Sequence, residues 1–227
     1  LEGPNLIYVD DTIQALGELA NYYRTKFHQP VIAITGSNGK TTTKEFLTHV
    51  LEQSGKVNAT KGNLNNHIGV PLTIFSFEKD ADYLVVEMGM NHPGEIEYLA
   101  GIAKPNLALI TNVGRAHLEG FQGSLEGVAK AKAELFKDLD ENAVAFINLE
   151  DQWIPKMPTK AKQITYGLTD EAMFWVDRIE TQNHAMTFCL HDGDHEYEVK
   201  IPRVGQHHVL NALSVFSIAW HLGIEPG

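Results

Sequence analysis

From Gly36 to Thr42 the chain reads Gly-Ser-Asn-Gly-Lys-Thr-Thr. Gly36 and Gly39 leave room for backbone N–H groups to converge on an anion. Lys40 can extend a point charge to the outer phosphates of a nucleotide, and Thr41 can offer a hydroxyl to Mg²⁺. An apolar β-type run, Val31 to Thr35, precedes this segment, and a helix-type stretch follows from Lys44 through Leu51, with Gly55 as its stop. The long form of a phosphate-binding loop carries glycine five residues before the last loop glycine, and here that position is Ile34. The loop is therefore a shortened variant. The plain alternative is a polar turn with Ser37 or Asn38 as a helix cap. Thr41, Thr42 and Thr43 argue against it, because β-branched residues are mediocre helix formers and need another reason to cluster at a helix start.

Further candidates lie at the ends of other apolar runs. Glu87 closes the run Tyr83–Met88 and precedes Gly89, Asn91, Pro93 and Gly94. Beside a phosphate loop it is a natural Mg²⁺ ligand; alone it is equally an ordinary strand-end glutamate. His117 follows the run Leu107–Thr111. Among eleven histidines, a single one is more often structural or exposed than a ligand. What strengthens both is placement: Lys40 and Thr41, Glu87, and His117 each follow a separate predicted strand. Lys132 is an outlier of another kind. On the helix expected over 125–139, the apolar stripe is Leu125, Val128, Ala129, Leu135, Phe136 and Leu139, and Lys132 falls within it. It is either a stem that snorkels from the edge or a buried amine, which is costly unless paired or modified.

The elements that must position these residues are legible as continuous apolar strands alternating with helices. The strands are the runs at 31–35, 83–88, 107–111 and 144–147, and helices separate them near 94–103 and 125–139. This predicts an α/β domain with a mostly parallel sheet buried on both faces. In such sheets ligands sit beyond the carboxyl ends of the strands. Asp11 and Gln14 have capping-box spacing and open a helix expected to reach Phe27, where Pro30 breaks it. From about Gln163 the texture changes. Segments near 173–181, 184–191 and 195–201 alternate polar and apolar residues, and Asp192-Gly193 supplies a turn, so a small antiparallel sheet is expected on the flank. A last helix is expected from His207 to His221.

Composition narrows the function class. A net charge of −11 argues against a nucleic-acid surface. No run reaches membrane-spanning length, and the N-terminus is not a signal peptide. The single cysteine, Cys189, excludes an internal disulfide framework and fits a reducing, cytoplasmic compartment. Leu1-Glu2-Gly3 is not a natural start, and Ile224 to Gly227 reads as a linker, so a fragment of a longer chain is expected.

Taken together, Thr35-Gly-Ser-Asn-Gly-Lys-Thr-Thr-Thr43, Glu87, His117 and Lys132 resemble the Mur ligase family, the ATP-dependent amide-forming enzymes of bacterial peptidoglycan precursor synthesis. The resemblance covers nearly the whole chain as that family's central ATP-binding domain. It implies a lead-in linker and helix over 1–28, the domain over 29–223, and the start of a linker at 224–227. Three segments are most similar to the branch that adds D-alanyl-D-alanine to UDP-N-acetylmuramoyl tripeptide: Gly62 to Pro71 (GNLNNHIGVP), Glu87 to Asn91, and Ala129 to Phe136. So is Asp10-Asp11-Thr12 ahead of the first helix.

The resemblance implies that Gly36, Ser37, Asn38, Gly39, Lys40, Thr41 and Thr42 hold the ATP phosphates. It implies that Thr41 and Glu87 hold one Mg²⁺ and that His117 ligates a second. Lys132 matches a lysine that reacts with CO₂ to give a carbamate supporting the metal site. Asn65 or Asn66 would face the acyl phosphate or muramyl peptide, and Asn211 matches an adenine contact. His208 departs from the pattern, standing where the family often has asparagine. Arg115 is either a phosphate contact or solvated. Family members carry two more domains, one gripping the UDP end and one binding the incoming amine. Alternatives are another amide ligase of the fold, such as a folylpolyglutamate synthetase, a non-catalytic nucleotide-binding module, and a hydrolase or kinase.

Overall fold

The computed structural model describes residues 5–116 and 118–224. Nine strands form one continuous sheet in the order β2-β3-β1-β4-β5-β6-β7-β8-β9. Strands β1 (Val31–Thr35), β2 (Val57–Ala59), β3 (Tyr83–Glu87), β4 (Leu107–Ile110), β5 (Val144–Asn148), β6 (Lys162–Gly167) and β7 (Phe174–Gln182) are parallel neighbours. Strands β8 (Ala185–His191) and β9 (Glu196–Ile201) complete an antiparallel group with β7. The antiparallel strands continue the parallel sheet, because β7 also pairs with β6 at Tyr166 and Trp175-adjacent Phe174.

β1, β4 and β5 are buried at every position, as continuous Val/Ile/Ala/Leu runs require when both faces are covered. One face carries helices α1 (Thr12–Arg24), α3 (Gly69–Phe75), α4 (Glu95–Ala103) and α5 (Leu125–Lys137), in a core that includes Ala33, Leu84, Val86, Ile96, Leu99 and Phe136. The other carries α2 (Lys40–Leu51) and α6 (Gln206–His221), packed on each other over Ile32, Ile34, Phe146 and Phe174.

Asp11 caps α1 through hydrogen bonds from the N–H groups of Ile13 and Gln14. Gln14 does not reach back as a capping box would; its amide donates to Glu18. The helix stops at Arg24 rather than Phe27. Arg24 is buried and donates to the carbonyls of Phe27, Ala103 and Lys104. It thereby satisfies carbonyls left open where α1 and α4 end.

The sheet order runs outward from β1 in opposite directions, to β3 and β2 on one side and to β4 and β5 on the other. That reversal opens a crevice at the carboxyl end of β1, where ligands sit in sheets of this kind.

Candidate functional site

The loop between β1 and α2 lies in this crevice. Gly39 has φ +81° and is the N-cap of α2, with no side chain capping the helix. A left-handed backbone here is cheap only for glycine. The first-turn N–H groups are thus left facing the crevice at the positive end of the helix dipole. At Gly36, φ is +151° and a Cβ would collide with the Thr111 hydroxyl at the end of β4. The loop is tied to its neighbours on several sides. Ser37 N–H donates to the Asn112 carbonyl, and Asn38 N–H donates to the Asn112 side chain. Thr111 Oγ1 donates to the Asn38 carbonyl at 2.6 Å, and the Gly114 N–H donates to Ser37 Oγ. From β5, buried Asn148 donates to the Thr111 carbonyl. These bonds hold the backbone amides in place before a ligand arrives, which is the pre-organisation that anion stabilisation needs.

Glu87 ends β3, beside β1, and is only 1% exposed. Its carboxylate accepts from Thr41 Oγ1 at 3.1 Å and from Asn65 Nδ2 at 2.9 Å. Lys44 Nζ lies 3.3 Å from its second oxygen and also donates to the Gly62 carbonyl. Lys44 is one helical turn past Lys40, and both ends of this ion pair are buried. The pair joins α2, β3 and the 60–66 loop. In the sequence Lys44 reads as the first residue of the helix, and the signal that could have singled it out is its i,i+4 spacing from Lys40. Removing one member of a buried pair strands the other charge. Lys44→Met is therefore expected to lower the unfolding free energy by about 3 kcal/mol, measured by urea denaturation, whereas Lys130→Met on the exposed Glu126 pair should change it little.

Asn65 and Asn66, adjacent in sequence, do different work. Asn65 turns into the Glu87 cluster. Asn66 Oδ1 accepts from the N–H groups of Ile68 and Gly69 and so closes the start of α3. Asn66→Ala should cost about 1 kcal/mol, the usual value of such a cap, while Asn65→Ala should leave α3 intact; thermal melts of the two variants make the comparison.

Lys40 Nζ donates back to the Gly36 carbonyl at 2.8 Å. Burial pulls the Lys40 ammonium below the usual lysine range, with the Glu87 charge opposing that shift. Lys132, on α5, is 2% exposed, a buried amine rather than a snorkelling stem. Among the described residues it has no hydrogen-bond or ion-pair partner. Burial, and secondarily the charge of Lys40, pull it down to about 7. Lys40 and Lys44 are thus both coupled to the Glu87 carboxylate, and Lys132 to the charge of Lys40. A site with this charge excess favours a polyanion. The hydroxyl of Thr41 beside the carboxylate of Glu87 is a hard oxygen pair of the kind Mg²⁺ takes, and the Lys44 ammonium already held there shows that the carboxylate accepts a cation.

The remaining sequence candidates fall as follows. Thr42 is half-buried in the first turn of α2. Asn211, on α6, is buried, and its side chain lies against Gly39. His208 packs its ring against His207, and its Nδ1 is buried with no hydrogen-bond partner among the described residues. Arg115 is exposed on an open cleft of about 700 Å³ that Asn91, His92, Leu118 and Glu119 also line. His117 lies outside the described residues.

The sequence pattern of the Mur ligase middle domain matches residues 34–219. The chain belongs to the Mur ligase family. Among curated relatives, the UDP-N-acetylmuramoyl-tripeptide–D-alanyl-D-alanine ligase of Escherichia coli is 39% identical over 224 residues, covering 97% of this chain and 49% of the relative. The enzyme of the same name from Haemophilus influenzae is 41% identical, over 97% of this chain and 49% of the relative. This Mur ligase domain therefore spans about half the length of the curated relatives it matches. Its fold superposes on MurF from Acinetobacter baumannii with a TM-score of 0.91 at 33% identity, over 99% of this chain and 51% of that one. A MurF ligase from Thermotoga maritima, solved in complex with ADP, gives 0.89 at 29% identity, over 100% of this chain and 53% of that one. Among the described residues of the Mur ligase domain, no helix is long and apolar enough to cross a membrane.

Proposed function

We propose that this domain is the ATP-binding core of a cytoplasmic ligase that joins D-alanyl-D-alanine to UDP-N-acetylmuramoyl tripeptide. The observation that carries the reading is the crevice at the end of β1, where an uncapped helix N-terminus stands beside Lys40 and Lys44, both coupled to the buried Glu87 carboxylate, with Lys132 in turn feeling the charge of Lys40. The names of the relatives support the choice of substrates.

In the reaction, a carboxylate oxygen of the tripeptide forms a bond to the γ-phosphorus of ATP, and the bond to the β-phosphate oxygen breaks, releasing ADP. The amine of D-alanyl-D-alanine then bonds to the acyl carbon, loses its proton, and phosphate leaves. Bringing a carboxylate to a polyphosphate is opposed by charge repulsion, so the protein acts by positioning and neutralisation. Lys40 exchanges the Gly36 carbonyl for the outer phosphates. The N–H groups at the uncapped α2 N-terminus hold the phosphate oxygens. Asn211, against Gly39, borders the nucleotide on the α6 side. Asn65 carries the acyl end of the peptide towards Glu87.

Thr41 and Glu87 would hold Mg²⁺, with His117 assigned to a second ion; bound there, the metal supplies further neutralisation of phosphate charge. Lys132 is neutral often enough near pH 7 to attack CO₂. The N–C bond forms, a proton leaves, and the resulting carbamate turns repulsion from Lys40 into attraction. The UDP end and the incoming amine are held by parts of the ligase beyond this domain, so the isolated domain should have negligible ligase activity.

The test is to supply a ligase of full relative length carrying this domain with Mg²⁺-ATP, UDP-N-acetylmuramoyl tripeptide and either D-alanyl-D-alanine or single amino acids. Equal amounts of ADP and amide product, formed with the dipeptide alone, are expected. ADP formation without amide, or equal use of single amino acids, would overturn the assignment.

A further inference from the structure

A second group of chemically capable side chains lies on the antiparallel strands, away from the crevice. On β7 and β8, Asp177 stands opposite Cys189 and Trp175 opposite His191; on β9, Glu196 stands opposite His191. Residues directly opposite, or two apart on one strand, share a face. All five therefore project from the face opposite Leu190 and Phe188, which pack towards α6. Ligand atoms of Asp177, Cys189 and His191 lie within 4.8 Å of one another.

The arrangement is specific in its details. The His191 ring is stacked on Trp175 with centroids 3.8 Å apart and planes 6° apart, which fixes its orientation. Its Nε2 points at Asp177 Oδ1, 3.0 Å away, and its Nδ1 is 3.8 Å from Glu196 Oε1. Glu196 Oε2 is 3.6 Å from Cys189 Sγ. A bulge between Asp177 and Glu180, with Arg178 at φ +50°, turns the Arg178 guanidinium onto the same group. It reaches Asp177, Cys189 Sγ at 2.8 Å and Glu196. The cluster thus already holds a cation by its sulfur and carboxylate atoms.

We propose that Asp177, Cys189 and His191 form a site for a zinc-class divalent cation, bound at His191 Nε2, which displaces the Arg178 guanidinium. Thiolate and imidazole donors select zinc-like ions over Mg²⁺, which takes oxygen ligands. Binding releases the Cys189 thiol proton to solvent. The guanidinium is largely exposed, so its release into water is cheap. The bound ion ties β7 to β8.

The test uses the 227-residue chain in excess Mg²⁺, titrated with Co²⁺. Because Cys189 is the single cysteine, a thiolate-to-cobalt charge-transfer band reports this site and no other. One equivalent per chain is expected, bleached by one equivalent of Zn²⁺. Cys189→Ser should lose the band, and His191→Ala should bind at least about tenfold more weakly, while Arg178→Ala binds more tightly. Zn²⁺ should raise the melting temperature of the parent chain but not that of Cys189→Ser, and circular dichroism of both variants checks that they fold. No band, half an equivalent per chain, or a Zn²⁺-induced melting shift retained in a folded Cys189→Ser variant would overturn the proposal. The ligase assay is independent of this result.

Discussion

Lys40→Ala in the full-length ligase should lower kcat by at least about a hundredfold, the scale seen when one pre-organised electrostatic donor is removed. In this domain the Lys40 ammonium is already partly buried and already aligned along the loop, with only the Gly36 carbonyl to release. Little reorganisation stands between that position and the outer phosphates. Its contribution should grow as charge moves from the γ-phosphate to the leaving ADP, so kcat should fall more than substrate affinity. Lys40→Arg should recover little, because a planar fork does not fit where a compact point charge sits. Steady-state kinetics on the three proteins decide the point. A drop of less than about tenfold would mean that Lys40 is not aimed at the transferred phosphate.

Lys132→Met should have the opposite effects on stability and activity. Holding an amine near 7 when its ordinary value is 10.5 costs on the order of 3–5 kcal/mol at pH 7. Methionine fills similar volume without that cost. The variant should therefore unfold at a temperature roughly 6–20 °C higher, given about 2–4 °C per kcal/mol for a domain of this size. The sign with pH follows from the lowered value. Between about 7 and 10.5 the unfolded chain binds a proton at this position that the folded chain does not, so the parent gains stability as pH rises through that window. The difference from Lys132→Met should shrink accordingly. CO₂-free buffers are needed, since a carbamate would offset the cost. Equal or lower stability of the variant would show that the ammonium is well paired in the folded state. In the full-length ligase, activity lost in Lys132→Ala should be partly restored by short carboxylic acids standing in for the carbamate. Absence of rescue would leave Lys132 a structural lysine.

How much of this was legible in the sequence depends on how local each signal is. The phosphate loop was legible because its glycines, Lys40 and Thr41 are consecutive and their backbone demands are local. The strands β1, β3, β4 and β5 were legible because burial on both faces leaves an unbroken apolar run. Short β2 at 57–59 has no such run, and neither does β6, whose Lys162 and Gln163 are exposed at its start. Helix α3 was missed because Pro71, which sits in its first turn, reads along the chain as a breaker, and because its apolar residues show no helical period over seven positions. The antiparallel strands were placed in the right region, but their continuity with the parallel sheet rests on a two-residue pairing of β6 with β7, which no periodicity encodes. At the site, Glu87 and Lys132 were visible as anomalies, a carboxylate ending a buried strand and a lysine within an apolar stripe. The Lys44–Glu87 pair was not visible, because it joins residues on different elements and reads along the chain as one more charged helix position. The division between Asn65 and Asn66 was likewise set by tertiary structure, since only the turn into α3 decides which amide faces Glu87.

The proposed reaction requires this domain to bring a substrate carboxylate onto the γ-phosphate of ATP. The most direct test labels the tripeptide's reacting carboxylate with ¹⁸O, runs one turnover with the full-length ligase, Mg²⁺-ATP and D-alanyl-D-alanine, and analyses the released phosphate by mass spectrometry. One ¹⁸O atom in the phosphate for each amide formed is predicted, because the carboxylate oxygen leaves with phosphorus. Amide formed with unlabelled phosphate would contradict it.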